Sequence, residues 1–98
     1  MSIDIKAQTD VTFAVTVTVT GTGTVSASTH TTHIVTVSDD YHYTLTKGVI
    51  SKEQLIALSF DFLLAREPNI SILARFELPV IARYFPEYET DIVALCPS

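Results

Sequence analysis

The sequence predicts an α+β fold, with an N-terminal antiparallel β-hairpin or meander packed against a C-terminal helical half. Residues 11–20 alternate apolar and polar almost without interruption, the period-two signature of a half-buried strand. From Ser38 onward, helix-start signals, stop signals and prolines take over. The charge distribution changes at the same place: Val11 to Ser38 holds no Asp, Glu, Lys or Arg, and most charges lie at or after Asp39. Ninety-eight residues suit one domain, with a β part over about residues 3–37 and a helical part over about 39–93.

The first strand places Val11, Phe13, Val15, Val17 and Val19 on one face and Thr12, Ala14, Thr16, Thr18 and Thr20 on the other. Ile3, Ile5 and Ala7 share the odd parity and can extend this face backwards, or pair elsewhere. A second extended stretch runs from Thr24 to Val37. Parity favours a three-residue turn, Gly21-Thr22-Gly23, which opposes Val19 with Val25 and Val17 with Ala27. A bulge near Thr29 to Thr32 would account for Ile34, an apolar residue on the wrong face. The outer face reads as a ladder of Thr and Ser, soluble strand formers, and an uncharged hairpin edge lacks the residues that discourage strand addition.

Ser38 followed by Asp39 and Asp40 caps a short helix that Lys47 and Gly48 end. Ser51-Lys52-Glu53-Gln54 has the capping-box pattern and opens a long helix to about Glu67, before Pro68. On that helix Leu55, Ile56, Phe60, Phe62, Leu63 and Leu64 cover roughly 200° of the circumference, twice the stripe a surface helix needs. Such a helix is central to its domain or shared with another chain. Asn69 to Phe76 allows two helical turns at most, Leu78 to Phe85 starts a helix at Pro79, and Glu87 to Ile92 forms a last turn.

Composition narrows the function. Charged residues make up 17% and the net charge is −5, below the roughly 25% charged content of soluble domains, with the six basic residues scattered singly. Nucleic acid and anionic membranes are therefore not expected partners. No apolar run approaches the about 18 residues of a membrane span. The first residues show no basic stretch ahead of an apolar one, so a secretory signal is not expected. Cys96 is the single cysteine, next to Pro97, and reads as a frayed, exposed thiol of a cytoplasmic protein.

No residue reads as catalytic, cofactor-binding or metal-ligating. His30 and His33 point to opposite faces of a regular strand, and His42 lies beyond on the short helix. Asp39 and Asp40 serve the helix start, and Glu87, Glu89 and Asp91 read as a solvated turn. Phosphate loops, nucleophile elbows and paired His and Glu motifs are missing. The order strand, short helix, tight loop and long helix over 33–67 also fits a ribbon-helix-helix DNA regulator, although the strand offers no Arg, Lys, Asn or Gln to read bases.

Three segments, His33-Ile34-Val35-Thr36-Val37-Ser38-Asp39-Asp40-Tyr41, Ser59-Phe60-Asp61-Phe62-Leu63-Leu64-Ala65-Arg66-Glu67-Pro68 and Arg83-Tyr84-Phe85-Pro86-Glu87-Tyr88-Glu89, resemble a group of small uncharacterised bacterial proteins that carry them in this order. The resemblance spans roughly the last two-thirds of the chain. It implies a compact bacterial cytoplasmic domain and brings no activity, cofactor or catalytic residue with it. The expected function is thus a non-enzymatic protein-association module. It is expected to be homo-oligomeric, through the long helix (Leu55, Ile56, Phe60, Phe62, Leu63) or the hairpin edge, with the DNA regulator as the alternative.

Overall fold

A computed structural model describes residues 2–19 and 29–95. Four strands form one sheet in the order β1-β2-β3-β4: β1 Ser2–Ala7, β2 Thr12–Val19, β3 Thr29–Thr36 and β4 Arg75–Glu77. Between β3 and β4 lie α1 (Asp39–Thr46), α2 (Lys52–Leu64) and a 3-10 turn at Asn69–Ser71; α3 (Val80–Tyr84) and α4 (Tyr88–Leu95) follow. This is the expected α+β architecture, sheet first and helices after.

The first three strands are an antiparallel meander. Ile3, Ile5 and Ala7 belong to a separate strand that pairs with β2, Ile3 opposite Val17 and Ile5 opposite Val15. Val17 faces Thr31 and Val19 faces Thr29, which corrects the expected pairings with Ala27 and Val25. The expected turn at Gly21-Thr22-Gly23 lies outside the described residues. Parity is as expected, odd opposite odd. The ladder runs unbroken from Thr12–Thr36 to Val19–Thr29, so there is no bulge there, and Ile34 stays on the outer face at the centre of the sheet. Cross-strand neighbours on both sides, Ala14 and Arg75, leave it half-buried.

The inner face carries Phe13, Val15, Val17, Val35 and Val37, all buried, and α2 packs over it. Phe60 sits between His33 and Phe76, with ring centroids 5.4 and 6.2 Å away. Phe62, two residues on, turns to the other side, edge-on to Phe85 and Tyr88 at 5.8 and 5.3 Å. The residues expected to carry self-association, Leu55, Ile56, Phe60, Phe62 and Leu63, are thus all buried within the chain itself. The sheet takes one side of the wide apolar arc, while α3 and α4 take the other.

The caps are as expected. The Ser38 hydroxyl accepts from the Tyr41 N–H, and Ser51 and Gln54 form the reciprocal box. Lys47 ends α1 in the left-handed region at φ 57° and Gly48 follows at φ 78°, where the absence of a side chain avoids strain. Three boundaries differ. Helix α2 ends at Leu64, where the Arg66 N–H tightens onto the Leu63 carbonyl three residues back, ahead of Pro68. The Asn69–Phe76 segment makes a 3-10 turn and then β4, parallel to β3 (Ile34 beside Arg75, Val35 beside Phe76), where only short helix was expected. The final turn is a full helix, α4, anchored by buried Tyr88 and Ile92. β2 occupies one edge of β3 and β4 takes Ile34 to Thr36 on the other.

Lys52 joins the layers. Its ammonium donates to the Asp10 carbonyl, 2.7 Å away in the β1–β2 turn, and to the Asp39 carboxylate at the start of α1. That hydrogen bond, and then the Lys52 charge, holds the Asp39 pKa below its ordinary value of 3.8. A carboxyl whose pKa is lower folded than unfolded adds stability that is present above about pH 4 and lost as the pH falls through the folded-state value. Asp39→Asn should therefore be less stable than wild type at neutral pH, with the gap closing towards about pH 2 in urea denaturation midpoints. A gap that does not change with pH would show that the pair contributes nothing through charge.

Candidate functional site

An apolar groove of about 340 Å³ lies at one end of the helical layer. Leu63 of α2, Ile72, Phe76 of β4, Ile81 and Phe85 line it. Glu67, Ser71, Leu73, Val80 and Tyr84 complete the wall and mouth. Two of these lining residues are large apolar groups left in solvent, Tyr84 at 67% exposed and Leu73 at 46%; Ile70, next to Ser71 in sequence, is 71% exposed. Isolated apolar residues on a surface are ordinary, whereas here two of them share one groove. Glu67 is the one ionisable acid among the lining residues, and it takes part in none of the ion pairs found among the described residues.

The wall contributed by residues 69–73 has no regular structure beyond its single 3-10 turn, so something must hold it. A buried polar chain does. The Asn69 amide donates to Thr31 Oγ1 at 3.0 Å, and Thr31 Oγ1 lies 2.9 Å from His33 Nε2. His33 Nδ1 is 2.7 Å from the Leu73 carbonyl. A carbonyl only accepts, so Nδ1 carries the proton, and Nε2 accepts from the Thr31 hydroxyl. Every link then has one donor and one acceptor, at a position only 2% exposed. His33 and Thr31 are two residues apart on the inner face of β3, so a strand residue fixes the wall of a groove formed far away in sequence. The segment is tied at its far end as well, by the Ile34 N–H donating to the Ala74 carbonyl at 2.8 Å.

Helix α4 is clamped by other polar contacts. The Arg66 guanidinium lies 3.6 Å from the centre of the Phe62 ring and reaches Glu87 and Asp91, both at 3.4 Å. Glu89 accepts from the Tyr41 hydroxyl at 2.8 Å. Burial first, and then that hydrogen bond, pushes the Tyr41 pKa well above its ordinary value, so the hydroxyl stays a donor. The acids expected to be a solvated turn are therefore structural partners that hold α4 to α1 and α2. Tyr88 and Ser59, fully buried, meet through their hydroxyls at 2.6 Å.

The histidines do not converge. His30 is on the outer face with Thr18 Oγ1 at 3.1 Å from its Nδ1, His33 is buried on the inner face, and His42 Nε2 donates to the Ile50 carbonyl at 2.6 Å. Among the described residues no group of three or more His, Cys, Asp or Glu could hold a metal ion, and no helix is long and apolar enough to cross a membrane. Cys96 lies outside the described residues.

The sequence reading missed the groove. Its walls come from α2, the 69–76 segment and α3, and no periodicity in one of them points to the others. The exposed signal was there in part, since Ile70, Leu73 and Tyr84 each lack a place in the helix patterns around them.

Compared with protein-family models, curated proteins and solved structures, the chain matches none of them.

Replacing His33 by Phe keeps the ring against Phe60 but leaves the Leu73 carbonyl without its donor and the Thr31 hydroxyl proton without its acceptor, although Thr31 Oγ1 still accepts from Asn69. Buried polar groups left so cost about 1–3 kcal/mol. Denaturant unfolding should show a loss of that order, and hydrogen exchange should quicken at Leu73 and Ala74 before it does in α2. Uniform quickening would mean that the network does not anchor this wall in particular.

Proposed function

We propose that the chain is a non-enzymatic protein-association module of the cytoplasm, and that the apolar groove is where it takes a partner. The groove itself carries the reading: an open apolar trough with Leu73 and Tyr84 largely in solvent along its wall. Its volume is at the low end of the roughly 300–1,000 Å³ of ligand sites, space for about two large side chains. The occupant that fits is a short segment of another protein, with two bulky apolar side chains and a neighbouring cation. The cation follows from Glu67, a carboxylate at the groove without an ion-pair partner among the described residues, on a chain of net charge −5. The His33 network supports the same reading, because a wall held in place before binding lowers the ordering cost of association.

Synthetic peptides with a Leu-Phe pair flanked by either Arg or Glu test this by fluorescence anisotropy. The Arg series should bind the tighter, by roughly three- to tenfold, and Glu67→Gln should remove the difference between the series. The double variant Leu73→Asp, Tyr84→Asp should lose both. Equal binding of the two series to the wild type, or binding that survives the double variant, would overturn the reading.

A further inference from the structure

Strand β1 is an edge of the sheet, and among the described residues it pairs with β2 alone. Which backbone groups it leaves free follows from the ladder. The Gln8 N–H donates to the Thr12 carbonyl at 2.8 Å, which continues the β1–β2 register and marks the even residues of β1 as those bonded to β2. The next ladder agrees: the Val37 N–H donates to the Val11 carbonyl at 2.7 Å, so odd residues of β2 serve β3 and even ones serve β1. The N–H and C=O groups of Ile3, Ile5 and Ala7 therefore point out of the sheet, with no strand beside them among the described residues. Residues 2–7 contain no Pro, and all of them pair with β2 in continuous register. Proline and bulges, two of the devices that blunt an edge, are thus missing from it. The side chains of Asp4 and Lys6 are exposed, while Ile3 and Ile5 are half-buried and pack against the core.

We infer that two copies of this chain join edge to edge through β1, antiparallel, about a two-fold axis at Ile5. In that register Ile5 exchanges both backbone hydrogen bonds with the partner's Ile5, and Ile3 exchanges both with the partner's Ala7 at each end. That gives about six main-chain bonds. Asp4 then falls directly opposite the partner's Lys6, and Lys6 opposite the partner's Asp4. Both are non-hydrogen-bonded sites, where side chains of facing strands come closest.

Charge selects this register over its neighbours. An axis at Asp4 would set two aspartates face to face at a close site, and an axis at Lys6 two lysines. An axis at Ile3 or Ala7 leaves fewer residues overlapping. An axis between residues would oppose an outward-bonding residue with an inward-bonding one, which no antiparallel ladder allows. One short strand thus carries a self-complementary code, as an isologous interface requires. The seam also continues the apolar inner row, with Ile5 beside the partner's Ile5 and α2 of each copy packed over its own β1. The result is a sheet twice the four strands of one protomer. A six-residue seam is small, so the dimer is weak and depends on concentration.

Sedimentation equilibrium from about 1 µM to about 500 µM tests the proposal. The wild type should pass from its monomer mass of 10.8 kDa towards twice that value. Lys6→Asp and Asp4→Lys each place like charges across the seam, and each should weaken the dimer at least about tenfold. The double variant Asp4→Lys, Lys6→Asp should restore it. Both side chains are exposed, so none of these changes threatens the core, and circular dichroism checks that each variant is folded. The groove variant Leu73→Asp, Tyr84→Asp should dimerise like the wild type, which separates this interface from the proposed groove. A wild type that stays monomeric, single variants that dimerise as well as it does, a charge swap without rescue, or a dimer lost with the groove variant would each overturn the proposal.

Discussion

Everything else in this structure leans on α2 being covered from two sides by its own chain. Phe60 and Phe62 are two positions apart, a rotation of about 200° on a helix, and they face different layers. Phe60 lies among His33 and Phe76 of the sheet, and Phe62 among Phe85 and Tyr88 of the helices that follow. Domains of this size more often stack two layers than three. Here the last helices, short as they are, supply a partial third, and Arg66 and Tyr41 pin α4 in place through Glu87, Asp91 and Glu89. An arc of apolar residues too wide for a surface helix is satisfied without a second chain.

The same placement explains the uneven charge. The uncharged run from Val11 to Ser38 holds β2 and β3, the two inner strands. The outer strands hold the charges, Asp4 and Lys6 on β1 and Arg75 and Glu77 on β4. β2 is paired along both edges and β3 along Ile34 to Thr36 as well as along β2, so Thr can fill their solvent face, whereas an outer strand needs charge to limit what pairs with it. The composition break at Ser38 therefore marks a change of layer. The lack of charge before it marks a position inside the sheet.

What the sequence disclosed was local. Ser38, the Ser51–Gln54 box and the Lys47-Gly48 stop each act within a few residues of themselves, and each is found where the pattern places it. The strand parity of residues 11–19 was equally plain, because period two needs no partner to be seen. The β2–β3 register was not, since a Gly-Thr-Gly turn satisfies parity as well as several longer connections do. Strand β4 was hidden for another reason: three residues are too few for a period, and what makes Arg75-Phe76-Glu77 a strand is β3 beside it. Helix α4 was foreshortened although Tyr88 and Ile92 stand four apart, a spacing that becomes informative once Ser59 and Phe62 are known to wait opposite. The groove was invisible because it belongs to no single segment.

The parallel pairing of β3 with β4 bears on how the molecule opens. The meander of β1, β2 and β3 forms between neighbours in sequence, but β4 reaches β3 only across the whole of α1 and α2. Closing so long a connection costs chain entropy before any contact repays it. The three residues of β4 and the irregular 69–74 segment therefore depend on the β3 ladder and the His33 network to stay closed. Both walls they supply belong to the groove. A partner seated there, as proposed, would bind only the closed chain, and its affinity would add directly to the stability of the fold, with the groove as the molecule's clasp.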